Sequence, residues 1–252
     1  MKAARRGAGG PADKEMLPPL HWWRTVFYLI PLVTLYTIVL GSVSLISTLV
    51  DRSGNVAHRC ARMWARLILR TTGVHVRISG LERLETGRSY VFAANHQSIY
   101  DIPILFGSIP FQLRIVAKES LGRIPFMGWH LHRAGHLLVD RRNPGPDIVQ
   151  KMRRLVSESS SLIVFPEGTR SVDGTIGRFK RGPFRVAMDA GLPVVPVSIA
   201  SSRHVMKKGR LMVCPGNVEL TIHAPIPTAD LPRESVLRFA EEVREIVAAA
   251  AR

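Results

Sequence analysis

The chain has 252 residues, of which 46% are apolar, and its 35 lysines and arginines against 19 acidic residues give a formal net charge of +16. This composition excludes an intrinsically disordered chain, and the length suffices for one α/β domain with a well-filled core. The basic excess predicts an anionic partner: nucleic acid, an acidic membrane surface or a phosphorylated substrate. Cys60 and Cys214 have no metal-ligand spacing and predict no disulfide framework, which fits a reducing compartment.

The N-terminal region predicts membrane association. Residues 1–25 hold five basic residues, and residues 26–50 contain no charged side chain. A helix of that length can cross a hydrocarbon core of about 30 Å, and the aromatic residues near its start suit the membrane interface. Because the stretch is too long for the apolar part of a cleaved signal peptide, the remaining alternative is a buried helix of a soluble protein.

The next segment predicts a helix with a basic stripe, formed by Arg59, Arg62, Arg66 and Arg70. At 100° per residue these four side chains occupy an arc of about 80°, and apolar residues cover much of the remaining surface. Such a helix suits the plane of an anionic membrane surface. The alternative is an ordinary surface helix with a solvated row of arginines.

The positive-inside rule does not choose an orientation for this region, because residues 1–25 and 51–70 carry five basic residues each. A helical hairpin that enters and leaves one leaflet would also have equal numbers of basic residues on its two sides. We therefore favour this monotopic arrangement over a single span. The resulting division is a basic tail with membrane-associated helices at 1–72 and an α/β domain at 73–252.

Strands and helices alternate from residue 73 onward. Strands are predicted at 74–79, 90–94, 113–118, 135–140, 161–165 and 192–200, with a final pair at 211–216 and 218–226. Helices are predicted at 99–109, 145–160, 181–191 and 232–252. The alternation predicts an α/β fold with a mixed, mostly parallel central sheet and flanking helices.

A polar corner follows the predicted strand in the segment VFAANHQSIYD. In a regular helix His96 and Asp101 would lie about 140° apart around the axis, and their side chains could not meet. They can meet if His96 lies in the loop and Asp101 in the first turn of the next helix, where the helix dipole favours a carboxylate. Asp101 can then hold one imidazole nitrogen and leave the other free to act as a general base. Because no nucleophile elbow with a serine or cysteine accompanies the pair, we expect the nucleophile to be a hydroxyl group of the substrate.

Polar and cationic residues follow three other predicted strands. They are Glu167, Gly168, Thr169 and Arg170 in one turn, Lys118 after a second strand and Arg141 after a third. A glycine permits close backbone approach, and an arginine can clamp a phosphate through two hydrogen bonds. Cations around a His–Asp pair at strand ends predict a site for an anionic acceptor that carries a hydroxyl group.

Two other interpretations of the basic and histidine-rich segments are weaker. His130, His132 and His136 are close in sequence, but no acidic or thiol ligand is spaced to complete a zinc site, so we expect no metal. The net charge alone suggests a nucleic-acid binder. The basic residues, however, flank apolar helices and strand ends, and the sequence holds no recognised nucleic-acid-binding motif.

Four segments together resemble the lysophosphatidic acid (1-acyl-glycerol-3-phosphate) acyltransferase family of the glycerolipid acyltransferase superfamily. NHQSIYD is similar to its first motif, AKESLGRIPFMG through GHLLVDR to its second, FPEGTRS to its third and VVPVSI to its fourth. The resemblance covers about residues 75–200, and the apolar helices before them match the family's habit. Where the family often has K-x-E-L, this chain has KESL, so Lys118 is in place while a role for Glu119 is in doubt.

The resemblance implies a role for each matched residue. His96 is the base that removes the proton from the acceptor's hydroxyl group, and Asp101 orients and polarises it. Residues 194–199 build the acyl-chain pocket. The implied ligands of the glycerol phosphate part of the acceptor are Arg170, Glu167, Gly168 and Thr169, assisted by Lys118 and, as a further candidate, Arg141.

The implied reaction transfers a fatty acyl group from acyl-CoA or acyl-acyl carrier protein to the sn-2 hydroxyl of lysophosphatidic acid, giving phosphatidic acid for phospholipid biosynthesis. The thioester is a co-substrate, no metal or redox cofactor is implied, and the other partners are membrane lipids. The expected location is the cytoplasmic face of the inner or cell membrane. The alternatives are an acyltransferase for another lysophospholipid or lyso-aminolipid, transacylation between phospholipids, and a basic membrane- or nucleic-acid-binding protein without catalysis.

Overall fold

The computed structural model describes residues 19–51, 54–124, 127–140, 148–157 and 160–251. Its centre is a seven-stranded sheet in the order β1-β7-β6-β2-β5-β3-β4. The strands are β1 (Val74–Ser79), β2 (Val91–Ala94), β3 (Gln112–Lys118), β4 (Leu137–Val139), β5 (Ser160–Val164), β6 (Val194–Ala200) and β7 (Gly216–Ile222). All neighbours are parallel except β6 and β7. The predicted mixed, mostly parallel sheet is therefore confirmed.

Helices cover both faces of this sheet. They are α1 (Leu20–Arg24), α2 (Ile30–Ser47), α3 (Asn55–Thr72), α4 (Asp101–Ser108), α5 (Met127–Arg133), α6 (Ile148–Ser157), α7 (Arg181–Ala190), α8 (Ser202–Val205) and α9 (Val236–Ala250). Alternate residues of β2 enter different cores: Phe92 packs with residues of α3 and α4, and Ala93 with residues of α6, α7 and α9. Successive side chains of a strand point to opposite faces of the sheet, so a strand that is buried on both faces contributes to two cores.

The apolar N-terminal segment forms one long helical stretch, in which a π-helical turn (Thr25–Leu29) joins α1 to α2. This stretch, Leu20–Ser47, is the single described helix that is long and apolar enough to cross a membrane, judged by length and composition. Most of its surface is exposed, including Phe27, Ile38 and Ile46 at 54–68%. Leu29, in contrast, is buried in the main core.

Helix α3 joins the N-terminal region to the sheet. Its Ala65, Ile68 and Leu69 belong to the same core as β2 and α4. Gly73 ends the helix in the left-handed conformation, with φ of 76°, and β1 begins at the next residue. The proposed division at residues 72 and 73 thus falls at a tight turn and stays a prediction.

The prediction of a strand at 211–216 is wrong. Residues 211–215 form no strand, because their backbone groups bond to helical elements: Val213 N–H donates to Thr25 Oγ1 over 2.9 Å and Cys214 N–H to the carbonyl of Val205 over 2.9 Å. Pro215 also has no N–H for a ladder. The segment therefore fastens the start of the N-terminal helix to the domain.

Gly80 gives a test of how tightly β1 packs on β7. Both Gly80 and Gly87 have φ of 85°, but a Cβ on Gly80 would lie 1.9 Å from the carbonyl oxygen of Ile222, while a Cβ on Gly87 meets nothing within 4 Å. We expect Gly87→Ala to cost about 1 kcal/mol of unfolding free energy from backbone strain alone. Gly80→Ala should cost roughly 1–3 kcal/mol more than Gly87→Ala, because its Cβ also clashes with the carbonyl oxygen of Ile222. Denaturant unfolding in detergent measures both, and equal losses would contradict this packing.

Candidate active site

Three neighbouring strands end at one edge of the sheet, and each is followed by a predicted motif. In the sheet order β2-β5-β3, the loop after β2 carries His96, the turn after β5 carries Glu167 and Arg170, and β3 ends at Lys118. Because the three strands are parallel, their carboxyl ends lie side by side. The topology thereby collects residues that are more than 70 positions apart in the chain.

The imidazole of His96 is held by Asp101. His96 Nδ1 lies 2.7 Å from Asp101 Oδ2, and the carboxylate is 0% exposed while the imidazole is 16% exposed. Asp101 is the first residue of α4, and His96 lies in the loop before it. This is the arrangement predicted from the five-residue spacing.

The Asp101 carboxylate has further donors beside the imidazole. Asp101 Oδ2 also accepts the backbone N–H groups of Gln97 and Ser98, over 2.8 and 2.9 Å. Hydrogen bonds from N–H groups stabilise an ionised carboxylate, as does the start of a helix. A carboxylate bound at Nδ1 fixes the tautomer with a proton on that nitrogen and leaves Nε2 as a proton acceptor.

A second carboxylate positions the backbone of the same residue. Glu167 Oε1 accepts His96 N–H over 2.8 Å, and Glu167 Oε2 accepts Gly177 N–H over 3.0 Å. Burial raises the pKa of the Glu167 carboxyl, an effect that these two donors oppose. The side chain of Phe165 stacks on the His96 ring, with centroids 4.0 Å apart. The sequence did not reveal this stacking, because it depends on two strands meeting.

The remaining residues of the first motif tie the loop to the rest of the fold. Asn95 exchanges two hydrogen bonds with the backbone of Ile199, at 2.8 and 2.9 Å, and thereby extends β2 alongside β6. Gln97 Nε2 donates to the carbonyl of Gly174, and Ser98 Oγ to that of Met206. The loop is therefore fixed from three directions.

The turn after β5 is flanked by lysines from two other segments. Gly168 adopts φ of 75°, and a Cβ at this position would lie 2.7 Å from Lys180 Nζ. Lys208 Nζ donates to Thr169 Oγ1 over 3.1 Å and to the carbonyl of Arg170 over 2.9 Å. Lys208 was missed in the sequence, where the run KKGR after β6 was its only signal.

The three cationic residues that the sequence predicts for this site differ in where they lie. Lys118 is exposed at the end of β3, two strands from β2 on the same edge. Arg170 is half-buried in the turn. Arg141 lies outside the described residues. The roles predicted for these residues, and for Glu167, Gly168 and Thr169, stay predictions.

An apolar cavity of about 370 Å³ opens beside this edge, between α2, α3, α4, α5 and β3. Its lining includes Thr37, Trp64 and Ala117, and Ala117 lies one residue before the carboxyl end of β3. Ser44 and His136, the residue before β4, also line it. Residues 194–199, predicted to build an acyl-chain pocket, are buried within β6 and do not line this cavity, so that role stays a prediction.

The histidine-rich segment shows no metal site. Among the described residues, no group of three or more His, Cys, Asp or Glu side chains has a geometry that suits a metal ion. His132 is exposed, while His130 and His136 line the cavity. Burial lowers the pKa of His136 to about 3. Burial also lowers the pKa of His58, to about 4, and the nearby charges of Arg62 and Arg114 act in the same direction.

Comparison with known proteins agrees with this geometry. A family model described as Acyltransferase matches residues 75–200. The 1-acyl-sn-glycerol-3-phosphate acyltransferase of Saccharomyces cerevisiae is 31% identical over 207 residues, which cover 80% of this chain and 68% of that protein. The chloroplastic enzyme of that name from Arabidopsis thaliana is 34% identical over 173 residues, covering 67% and 48%.

A crystal structure extends the likeness to the whole fold. The 1-acyl-sn-glycerophosphate acyltransferase of Thermotoga maritima matches with a TM-score of 0.79 at 27% identity, covering 91% of this chain and 94% of that one. The mixed sheet and its motif-bearing edge are thus those of an acyltransferase. More narrowly, the chain belongs to the 1-acyl-sn-glycerol-3-phosphate acyltransferase family. It spans about half the length of several curated relatives that it matches.

The lowered pKa values of His58 and His136 predict a pH dependence of stability. Below pH 6.5 the unfolded chain binds protons at both residues, whereas the folded protein stays neutral there until about pH 4 and pH 3. The contribution of these two neutral histidines to the free energy of unfolding is therefore complete above pH 6.5 and is lost as the pH falls towards 4. Each histidine contributes a slope of up to about 1.4 kcal/mol per pH unit. Denaturant unfolding between pH 7.5 and 5 should give a shallower slope for His136→Gln than for the wild type, and identical slopes would refute this prediction.

Proposed function

We propose that this protein acylates the sn-2 hydroxyl of 1-acyl-glycerol-3-phosphate with a thioester donor, acyl-CoA or acyl-acyl carrier protein. The observation that carries the proposal is the His96–Asp101 pair, fixed at a strand edge beside exposed cations and an apolar cavity. The relatives named for this activity support it. The product would be phosphatidic acid and the free thiol of the carrier.

The proposed chemistry uses the imidazole twice. His96 Nε2 takes the proton of the acceptor's hydroxyl as the oxygen attacks the thioester carbon. The ion pair with Asp101, 2.7 Å away, stabilises the imidazolium that forms. As the tetrahedral intermediate collapses, the C–S bond breaks and the imidazolium returns the proton to the leaving thiolate. The nucleophile comes from the substrate, which agrees with the position of Ser98, whose hydroxyl donates to the carbonyl of Met206 and not to His96.

Cations around the third motif fit the phosphate monoester of the acceptor. Arg170 can bind two phosphate oxygens at once, because its guanidinium is planar and always charged. Lys118 adds charge from β3, and Lys208 and Lys180 from the two sides of the turn. Glu167 directs both carboxylate oxygens at backbone N–H groups, so we assign it to positioning the turn against His96.

The apolar cavity beside this edge fits a fatty acyl chain. Its walls come from helices of the N-terminal region and from the domain, including Leu40, Trp64 and Phe106. Burial of a chain there removes apolar surface from water, which contributes roughly 25 cal/mol per Å². The polar edge and the apolar cavity together match an amphipathic substrate.

The N-terminal helices fit a monotopic membrane anchor on the cytoplasmic face. Thr25 at one end accepts Val213 N–H, and Ser44 at the other end lies 3.3 Å from His130 Nδ1. A helix fastened to the domain at both ends lies along it, whereas a helix that spans a bilayer alone must leave it. The outward face, exposed and apolar, can then enter one leaflet, where the lysolipid also lies.

An acceptor panel tests the proposed activity against the alternatives. We expect purified protein with labelled acyl-CoA to acylate lysophosphatidic acid and to act much less on lysophosphatidylcholine or a lyso-aminolipid. His96→Ala should lower turnover by at least about a hundredfold, because general base catalysis contributes at least this much. Acylation confined to acceptors without a phosphate monoester would overturn the proposed substrate, and unchanged turnover in His96→Ala would remove this residue from the mechanism.

Arg170→Ala tests the phosphate role. We expect the Michaelis constant for lysophosphatidic acid to rise about tenfold or more, because a charge-assisted hydrogen bond contributes about 1.5–3 kcal/mol. The constant for acyl-CoA should change little. Arg238→Ala, an exposed arginine on α9, serves as the control. Steady-state kinetics in mixed micelles measure both constants, and an Arg170→Ala enzyme with wild-type affinity for the acceptor would exclude the assignment.

The basic stripe of α3 gives a test of the membrane orientation. Arg62 and Arg66 donate to the carbonyl groups of Ile109 and Gly107, and Arg59 and Arg70 are exposed, as is Arg66. Replacing Arg59 and Arg70 with glutamine should weaken binding to anionic vesicles by about 2 kcal/mol, or about thirtyfold, since each basic residue near such a surface contributes about 1 kcal/mol.

Sedimentation with vesicles of phosphatidylcholine, with and without phosphatidylglycerol, measures this effect. The double variant and the wild type should bind uncharged vesicles equally well. The control is Arg238→Gln, which should bind both vesicle types as the wild type does. An unchanged affinity of the double variant for anionic vesicles would show that the stripe faces solvent.

A further inference from the structure

Three polar side chains lie close together in the lining of the apolar cavity. Ser44 Oγ lies 3.3 Å from His130 Nδ1, and the rings of His130 and His136 have centroids 5.9 Å apart. All three side chains line the cavity. They come from α2, from α5 and from the residue before β4, so the tertiary fold assembles them. We call these three residues the polar floor.

The hydrogen bond that His136 accepts from Ile115 defines its tautomer. Ile115 N–H donates to His136 Nδ1 over 3.1 Å, so this nitrogen carries no proton. Burial, with the nearby His130, Arg114 and His58, lowers the pKa of His136 to about 3, and the ring is neutral at pH 7. A neutral imidazole with an unprotonated Nδ1 carries its proton on Nε2. Within the described part of the chain, this Nε2–H group has no acceptor.

An N–H group without an acceptor is disfavoured wherever water cannot reach it, because it then loses its hydrogen bond to water. An unsubstituted methylene chain in the cavity would leave the Nε2–H of His136 in this condition. A chain that brings an oxygen to the same place would relieve it. Ile102, the residue after Asp101, lines the cavity, and Phe106, about 6 Å further along α4, has its ring centroid 6.2 Å from that of His136. The polar floor thus lies away from the strand edge that carries His96 and Asp101. The matching oxygen therefore belongs in the distal part of an acyl chain.

We propose that the polar floor binds an oxygen substituent on the acyl chain, so that the protein selects chains with a distal hydroxyl or keto group over unsubstituted chains of equal length. His136 donates the hydrogen bond, and Ser44 with His130 provides further polar contacts for a hydroxyl group. This inference rests on the proposed acyl transfer and names a class of acyl donor for it. His136 acts as a specificity-determining residue, and the chemistry at His96 is unchanged.

Competition between matched acyl-CoA donors tests the proposal. Stearoyl-CoA and a positional series of hydroxystearoyl-CoA isomers are supplied with lysophosphatidic acid, and the ratio of kcat/KM for each isomer to that for stearoyl-CoA is measured. For at least one distal isomer the wild type should give a ratio of about threefold to tenfold, the range of one net hydrogen bond. In His136→Phe, which keeps a ring without an N–H donor, the ratio should fall to about one or below.

Two further variants complete the comparison. His136→Gln retains an N–H donor and should keep part of the preference. His132→Phe changes an exposed histidine on the same segment that does not line the cavity, and its ratio should equal that of the wild type. A ratio of one or below for every isomer in the wild type, or equal ratios in the wild type and His136→Phe, would overturn the proposal. The ratio compares two donors on one preparation, so partial misfolding of a variant does not affect it.

A binding measurement separates this proposal from the proposed function. Stearic acid and the hydroxystearic acid isomers are compared as competitors of a fluorescent fatty acid bound to the full chain in detergent. A preference for a hydroxylated acid that His136→Phe abolishes supports the polar floor, even if neither thioester is turned over and the acyltransfer proposal fails. Turnover of acyl-CoA without any such preference rejects the polar floor and leaves the proposed function standing.

Discussion

The geometry of the candidate site depends on one buried carboxylate. Asp101 Oδ2 accepts the imidazole Nδ1–H of His96 and two backbone N–H groups, and the side chain is fully enclosed. Burying an ionised carboxylate is costly unless donors surround it. The loop between β2 and α4 must therefore fold so that three donors meet one oxygen. The three donors offset part of this cost at Oδ2, while Asp101 Oδ1 is buried without a partner among the described residues, and the bond to Nδ1 also orients the imidazole.

The corner that holds His96 and Asp101 is built into the core, while the surrounding lysines are exposed. Asn95 bonds to Ile199 of β6, and the N–H and carbonyl of His96 bond to Glu167 and Ser171 in the turn after β5, so two other segments hold this loop. Lys118, Lys180 and Lys208 are exposed side chains with long aliphatic stems. Proton transfer needs fixed geometry, whereas binding of a phosphate headgroup at a membrane surface tolerates adjustment.

The N-terminal helices lie beside this corner and carry a large exposed apolar surface. Helix α2 packs against α3 and forms one wall of the cavity, and its other face is exposed and apolar. In the proposed function, this one helix supplies both a wall for an acyl chain and a surface that favours the hydrocarbon of a bilayer. The apolar N-terminal segment is therefore packed into the same unit as the sheet.

The sequence by itself determined most of the element order, the sheet type and the corner that holds His96 and Asp101, because these rest on local periodicity and on short spacings such as that from His96 to Asp101. The chain could also indicate Lys118, at the end of a predicted strand, and Arg170, in the turn after another. Only the tertiary structure decided that Lys208 adjoins the third motif, that Phe165 stacks on His96 and that residues 211–215 tie down the N-terminal helix instead of forming a strand. It also decided that Ser44, His130 and His136 share one cavity. These contacts join segments far apart in the chain, and no local pattern encodes them, because they arise from how helices and strand ends pack together.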